Sequence, residues 1–164
     1  MENLKFDFVF LGQSILKYQV PLDIFTTINQ IYEQNFHNLA PANGQLVGKI
    51  ENEHSLFYHG ADQTKMKNHN MLPRNVTDYF MTVFKHYLAF NKIRDYETHL
   101  NSIWVNEMKQ HEYNPAHIHR GMLFTGLSSV MILKLPSTFG KEYSASDVQQ
   151  NGRLQILGAA NGQF

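Results

Sequence analysis

The order of periodicities along this 164-residue sequence predicts an α+β fold in one domain. Three observations carry that prediction. Apolar residues recur at helical spacing over about residues 23–36 and again from Val76 to Phe90. From Leu100 onward, short runs rich in β-branched and aromatic residues alternate with turn residues. Within that β-rich part stands His117-Ile118-His119, two histidines that an extended strand projects to the same side. Residues 1–99 therefore read as helical and β support, and residues 100–164 as the strands that carry the histidine pair.

In chain order, Lys5 to Leu11 places Phe6, Phe8 and Phe10 on one parity, the mark of a strand. Gly12-Gln13 turns it into a second extended piece, Ile15 to Val20. Pro21-Leu22-Asp23 opens the first helix with Asp23 as the expected N-cap, and Phe25, Ile28, Ile31 or Tyr32, and Phe36 form its apolar stripe. Residues 37–75 are punctuated by Pro41, Asn43-Gly44 and Gly60 and predict irregular chain. His37, His54, His59 and His69 fall there without metal-ligand spacing, and ordinary hydrogen-bonding or surface roles fit them. Asn75 is the expected cap of the second helix, whose stripe runs Val76, Tyr79, Phe80, Val83, Phe84, Tyr87, Leu88. Such an aromatic stripe belongs against a sheet, with His86 on the same face or at its edge. Ser102 to Asn106, Ala116 to His119, Leu127 to Leu135 and Arg153 to Leu157 are the expected strands, with a bend at Glu112 to Pro115.

Composition narrows the function. With 43% hydrophobic and 13% aromatic residues the chain has the means to bury a core. Fourteen basic and fourteen acidic residues cancel, so there is no electrostatic footprint of a nucleic-acid binder. No apolar run has the length of a membrane span, and residues 1–20 lack the apolar core of a signal peptide; the expectation is a cytoplasmic protein. Without cysteine, a metal has only histidine, carboxylate and water to bind, and the chain holds nine histidines.

Two imidazoles at i and i+2 suit Fe, Zn or Cu, although two strand histidines can equally face solvent or bond their neighbours. Pro115 stiffens the entry to the pair, and Asn114 can bond the backbone or a ring nitrogen, which fixes a tautomer. Cupins also use His-x-His, but their motif continues with a glutamate four or five residues on, where this chain has Leu123 and Phe124.

A second likeness is broader. Trp104-x-Asn106, Glu112-Tyr113-Asn114-Pro115-x-His117-x-His119, Gly121, Leu127-Ser128-Ser129-Val130 and Leu133-Lys134-Leu135-Pro136 together resemble the marine phage and bacterial branch of the 2-oxoglutarate/Fe(II)-dependent dioxygenases, which is prolyl-4-hydroxylase-like. Tyr18 to Phe25 and Gln45 to Ile50 resemble the same branch. The resemblance implies a double-stranded β-helix, or jelly roll, braced by the two helices. It implies Fe(II) held by His117 and His119, with 2-oxoglutarate as co-substrate, converted to succinate as a C–H bond of a peptide prolyl or a small molecule is hydroxylated. Tyr113 and Asn106 become candidates to bond 2-oxoglutarate. Lys134 joins them if it faces inward; alternation sets it with Val130 and Ile132, opposite Met131, Leu133 and Leu135, and the same pattern fits a solvated lysine.

The superfamily's first motif usually pairs a histidine with Asp or Glu. Here His119 takes the carboxylate's place and leaves the site more positive by about one charge. The family's distal histidine has no counterpart, because none follows His119, and Arg153 is the only arginine beyond Arg120. The expectation is a jelly roll lacking its last strands, with exposed strand edges that favour association, a homodimer included. A third ligand from His111, His59 or His99 is the alternative. Two other functions stay open: a non-catalytic β-sandwich binding module, and a cupin-type metal enzyme that does not use 2-oxoglutarate.

Overall fold

The structure, a computed structural model, describes residues 4–10, 14–42, 44, 48–59, 70–115, 117, 126–139, 152 and 154. Among them are two helices and two small antiparallel sheets, an α+β arrangement with no closed barrel. The expected strands over 116–119 and 153–157 lie outside the described residues, except for His117 and Leu154.

The first sheet is a hairpin of β1 (Phe6–Phe10) and β2 (Ser14–Tyr18), paired from Phe6 opposite Tyr18 to Phe10 opposite Ser14. It leans on the end of the second helix. Phe6 and Phe8 both meet the Phe90 ring, with centroids 5.9 and 5.4 Å away. The Tyr18 hydroxyl and the His86 Nδ1 are 2.7 Å apart, and Tyr87 donates its hydroxyl to the Ser14 carbonyl at 2.9 Å. Ser14 also donates to the Asn91 side-chain oxygen. His86 thus sits at the margin of the apolar stripe, as its spacing predicts.

Helix α1 spans Leu22–Asn35 and α2 spans Arg74–Phe90. Each begins one or two residues earlier than its expected cap. Pro21 and Pro73 occupy the N-cap positions, with no side-chain cap bond in either helix. The fixed φ of proline suits the extended N-cap backbone at both positions (ψ 143° and 158°), although it offers no acceptor to the first-turn N–H groups. Asp23 instead lies in the first turn of α1, where its charge favours the helix dipole. A 3-10 turn over Phe36–Asn38 closes α1.

The segment expected to be irregular holds a strand. β3 (Asn52–Tyr58) pairs antiparallel with β4 (Ser102–Glu107), from Asn52 opposite Glu107 to Tyr58 opposite Ser102. The register slips between Ser55 and Phe57, so the extra residue is Leu56, which is fully buried. On the other edge of β3, the Ala42 N–H reaches the Glu53 carbonyl and the Ser55 N–H reaches the Ala40 carbonyl, both at 2.8 Å. β3 is therefore bonded on both sides, which is why a strand rich in polar residues can be interior.

The core joins Ile24 and Ile28 of α1, Leu39, Leu56 of β3 and Val76 of α2. Ile103 and Val105 close it from β4. Met131 and Leu133 also pack against it, whereas Val130 and Ile132 are 63% and 53% exposed. Residues 130–134 alternate between exposed and half-buried as a strand would, and among the described residues no strand bond is made over the strand expected from Leu127 to Leu135. Burial of one row orders the segment, while a strand requires a partner edge, and among the described residues none pairs with it.

Candidate functional site

In an antiparallel pair, directly opposed residues share a face of the sheet. One face of β3–β4 presents Val105 and Ile103 to the helices. The other face sets Glu53 opposite Asn106 and Ser55 opposite Trp104. That face is enclosed on its β3 side, where Glu53 is 5% and Ser55 6% exposed, while Asn106 is half-buried and Trp104 is exposed on the β4 side. Burial raises the Glu53 carboxyl above its ordinary range, partly offset by side-chain hydrogen bonds from Asn106 and Trp104. The Asn106 side-chain oxygen is itself buried, with no hydrogen-bond partner among the described residues. A buried acceptor without a donor costs about 1–3 kcal/mol, so it marks a place where a ligand or water would be stabilised.

Past the end of the ladder, the chain from β4 makes a tight turn and rejoins the strand side. The Glu112 N–H bonds the Lys109 carbonyl at 3.1 Å, with His111 at φ 68°. Histidine adopts this left-handed conformation more readily than most residues. The Glu112 carboxylate accepts from the backbone N–H of Lys109 at 2.6 Å and of Glu51 at 2.8 Å. Those two bonds, with Lys109 and Lys49 nearby, hold its carboxyl below the usual range. Lys49 and Tyr113 then exchange both backbone hydrogen bonds, at 2.9 and 3.1 Å.

This pairing requires Gly48. A Cβ there would stand 2.9 Å from both the Asn114 Cα and the Pro115 Cδ, and would also strike the Tyr113 carbonyl. The absent side chain lets the Tyr113–Pro115 backbone lie directly on residue 48. The approach to the histidine pair is thereby fixed in space by residues far away in sequence.

His117 follows. Its Nδ1 lies 2.8 Å from the Pro115 carbonyl oxygen. A carbonyl only accepts, so Nδ1 carries a proton, and in the neutral form of the ring the lone pair is on Nε2. That is the tautomer of a metal-ligating histidine whose other nitrogen is tied to the backbone. Pro115 thus supplies, through its carbonyl, the orienting contact that the sequence assigned to Asn114. The Asn114 side-chain oxygen is buried and has no hydrogen-bond partner among the described residues.

Of the other candidates, His119 lies outside the described residues. Tyr113 is exposed beside Lys49, and Asn106 is on the same face as Glu53. Lys134 is exposed, in the outward row with Val130 and Ile132. Among the described residues, no three His, Asp or Glu side chains converge on one point. His59 and His99 lie by the Tyr58–Ser102 end of the ladder, opposite the end that leads to His117. Five residue steps of β4 separate the two ends, about 17 Å, which sets them apart from the His117 site. Sequence reading missed Glu53 and Ser55; the available signal was the alternation from Glu53 to Leu56, hidden by its polar residues and broken by the bulge before Phe57. Comparison of the chain with protein-family models, with curated proteins and with solved structures gave no match.

Proposed function

We propose that the chain carries part of a cytoplasmic oxygenase of the 2-oxoglutarate/Fe(II) type, directed at a peptide prolyl or another small target, whose iron site lacks the distal histidine and is catalytically incomplete as it stands. The observation that carries this reading is the His117 ring. Its Nδ1 is tied to the Pro115 carbonyl, so in the neutral ring the lone pair is on Nε2, and its approach segment is braced by Gly48 and Lys49. His117 and His119 would hold the iron through neutral imidazoles, and the bound metal would supply oxidative decarboxylation of 2-oxoglutarate.

The β3–β4 pair would be two neighbouring strands of a jelly-roll core, with the Glu53–Asn106 face turned to its interior. Asn106 offers an acceptor there. Glu53, its carboxyl raised by burial, adds a second polar group, and together they suit a ligand with hydroxyl or amide groups. Tyr113 and Lys134 remain candidates to bond the co-substrate.

Iron content and its dependence on 2-oxoglutarate test the reading. Purified wild-type protein loaded anaerobically with Fe(II) is expected to bind iron, and His117→Ala and His119→Ala each to lose it. Iron content unchanged in both variants would overturn the metal site. Iron retained in a 2-oxoglutarate-independent manner would favour a cupin-type enzyme.

A further inference from the structure

The two histidines at the far end of the ladder form a cluster of their own. The His59 N–H bonds the Asn101 carbonyl at 2.8 Å, which extends the β3–β4 pairing one step past Tyr58 and Ser102. His99 stands two residues before Asn101, diagonally across from His59. Their ring centroids are 5.7 Å apart, with planes tilted by 38°. The His99 Nε2 is 3.3 Å from the Glu97 carboxylate. All three side chains are exposed.

These distances have a chemical meaning. Zn–imidazole bonds are about 2 Å, so two rings on one ion have centres about 5–6 Å apart. Contact between Glu97 and Nε2 favours the proton there and leaves the His99 lone pair on Nδ1. This is the carboxylate–histidine–metal relay that orients a ligand and raises its basicity. Two neutral imidazoles without thiolate suit Zn²⁺, Ni²⁺ or Cu²⁺.

The geometry points to a second cation site, distinct from the His117 segment, in which His59 and His99 grip a borderline divalent ion and Glu97 orients His99. No third His, Asp or Glu among the described residues joins them, so water fills the remaining positions. The ion joins the end of β3 to the chain entering β4. That chain is an irregular connection, with Lys92 and Asp95 at φ 58° and 56°. Binding to the folded form alone therefore stabilises it.

The test is titration of the untagged protein with Ni²⁺ and with Cu²⁺, read by calorimetry and by the nitrogen hyperfine pattern of Cu²⁺. One equivalent is expected to persist in the His117→Ala/His119→Ala double variant and to disappear in His59→Ala/His99→Ala. Glu97→Gln should weaken that equivalent by about tenfold. Equal stoichiometry and affinity in wild type and His59→Ala/His99→Ala would overturn the proposal. So would loss of every bound ion in His117→Ala/His119→Ala. Because the two pairs are removed separately, failure here leaves the oxygenase reading to its own test.

Discussion

Lys49 and Tyr113 exchange both of their backbone hydrogen bonds, and Gly48 alone makes room for the exchange. This contact links two stretches more than sixty residues apart and sets where the chain lies as it enters His117.

Gly48→Ala is therefore expected to be destabilising. The added methyl meets backbone at Tyr113 and Asn114 rather than a flexible side-chain end. The cost should be about 1–3 kcal/mol in denaturant unfolding, the usual range for overpacking. Iron affinity at His117 should fall with it, and wild-type values for both would remove the bracing role.

Leu56 and Val76 are the largest fully buried side chains described. Leu56→Ala should cost about 2–5 kcal/mol, because β3 is bonded on both edges and cannot collapse into the cavity. Equilibrium unfolding measures it.

The alternation of residues 130–134 gives a paired test. Leu133→Ala, which empties a position packed on the core, should cost about 2 kcal/mol or more. Lys134→Ala, on the exposed row, should change stability by less than about 0.5 kcal/mol. Equal effects would mean that the segment does not sit as described.

Two neighbours on β3 give pH dependences of opposite sign. Burial lowers the pKa of His54 from 6.5, and its Nδ1 is buried without a hydrogen-bond partner among the described residues. The unfolded chain then binds the proton first, so stability falls as pH drops below 6.5 toward the folded pKa. Burial raises Glu53 from 4.5, so the folded form binds the proton first and stability falls as pH rises above 4.5 through the folded pKa. Unfolding free energies from pH 4 to 8 should show His54→Phe removing the acid-side loss and Glu53→Gln removing the other. A profile unmoved by either substitution would contradict both assignments.

The helices and the first hairpin were legible in the sequence because their periodicity depends on one face being apolar. The spacing from Ile24 to Ile28 and from Val76 to Leu88 names the buried side of each helix without reference to any partner. The candidate pair His117 and His119 was likewise visible in the sequence, because the spacing of two imidazoles at i and i+2 is local.

Other features were decided only by the tertiary structure. β3 was hidden because Glu53 and Ser55 are polar residues that become interior only when chain is bonded along both edges of the strand. The sequence alone left the parity of Lys134 open, since alternation has two equivalent phases until Met131 and Leu133 meet the core. The tautomer of His117 depends on where the Pro115 carbonyl points, and the chain that leads to it is held by Gly48 and Lys49. By itself, then, the sequence determined the helices and the hairpin. Long-range backbone pairing decided which strand lies at the centre, which row faces inward and which nitrogen of His117 carries its lone pair. The physical reason is that periodicity is a property of neighbours in the chain, whereas burial and hydrogen-bond partners belong to neighbours in space.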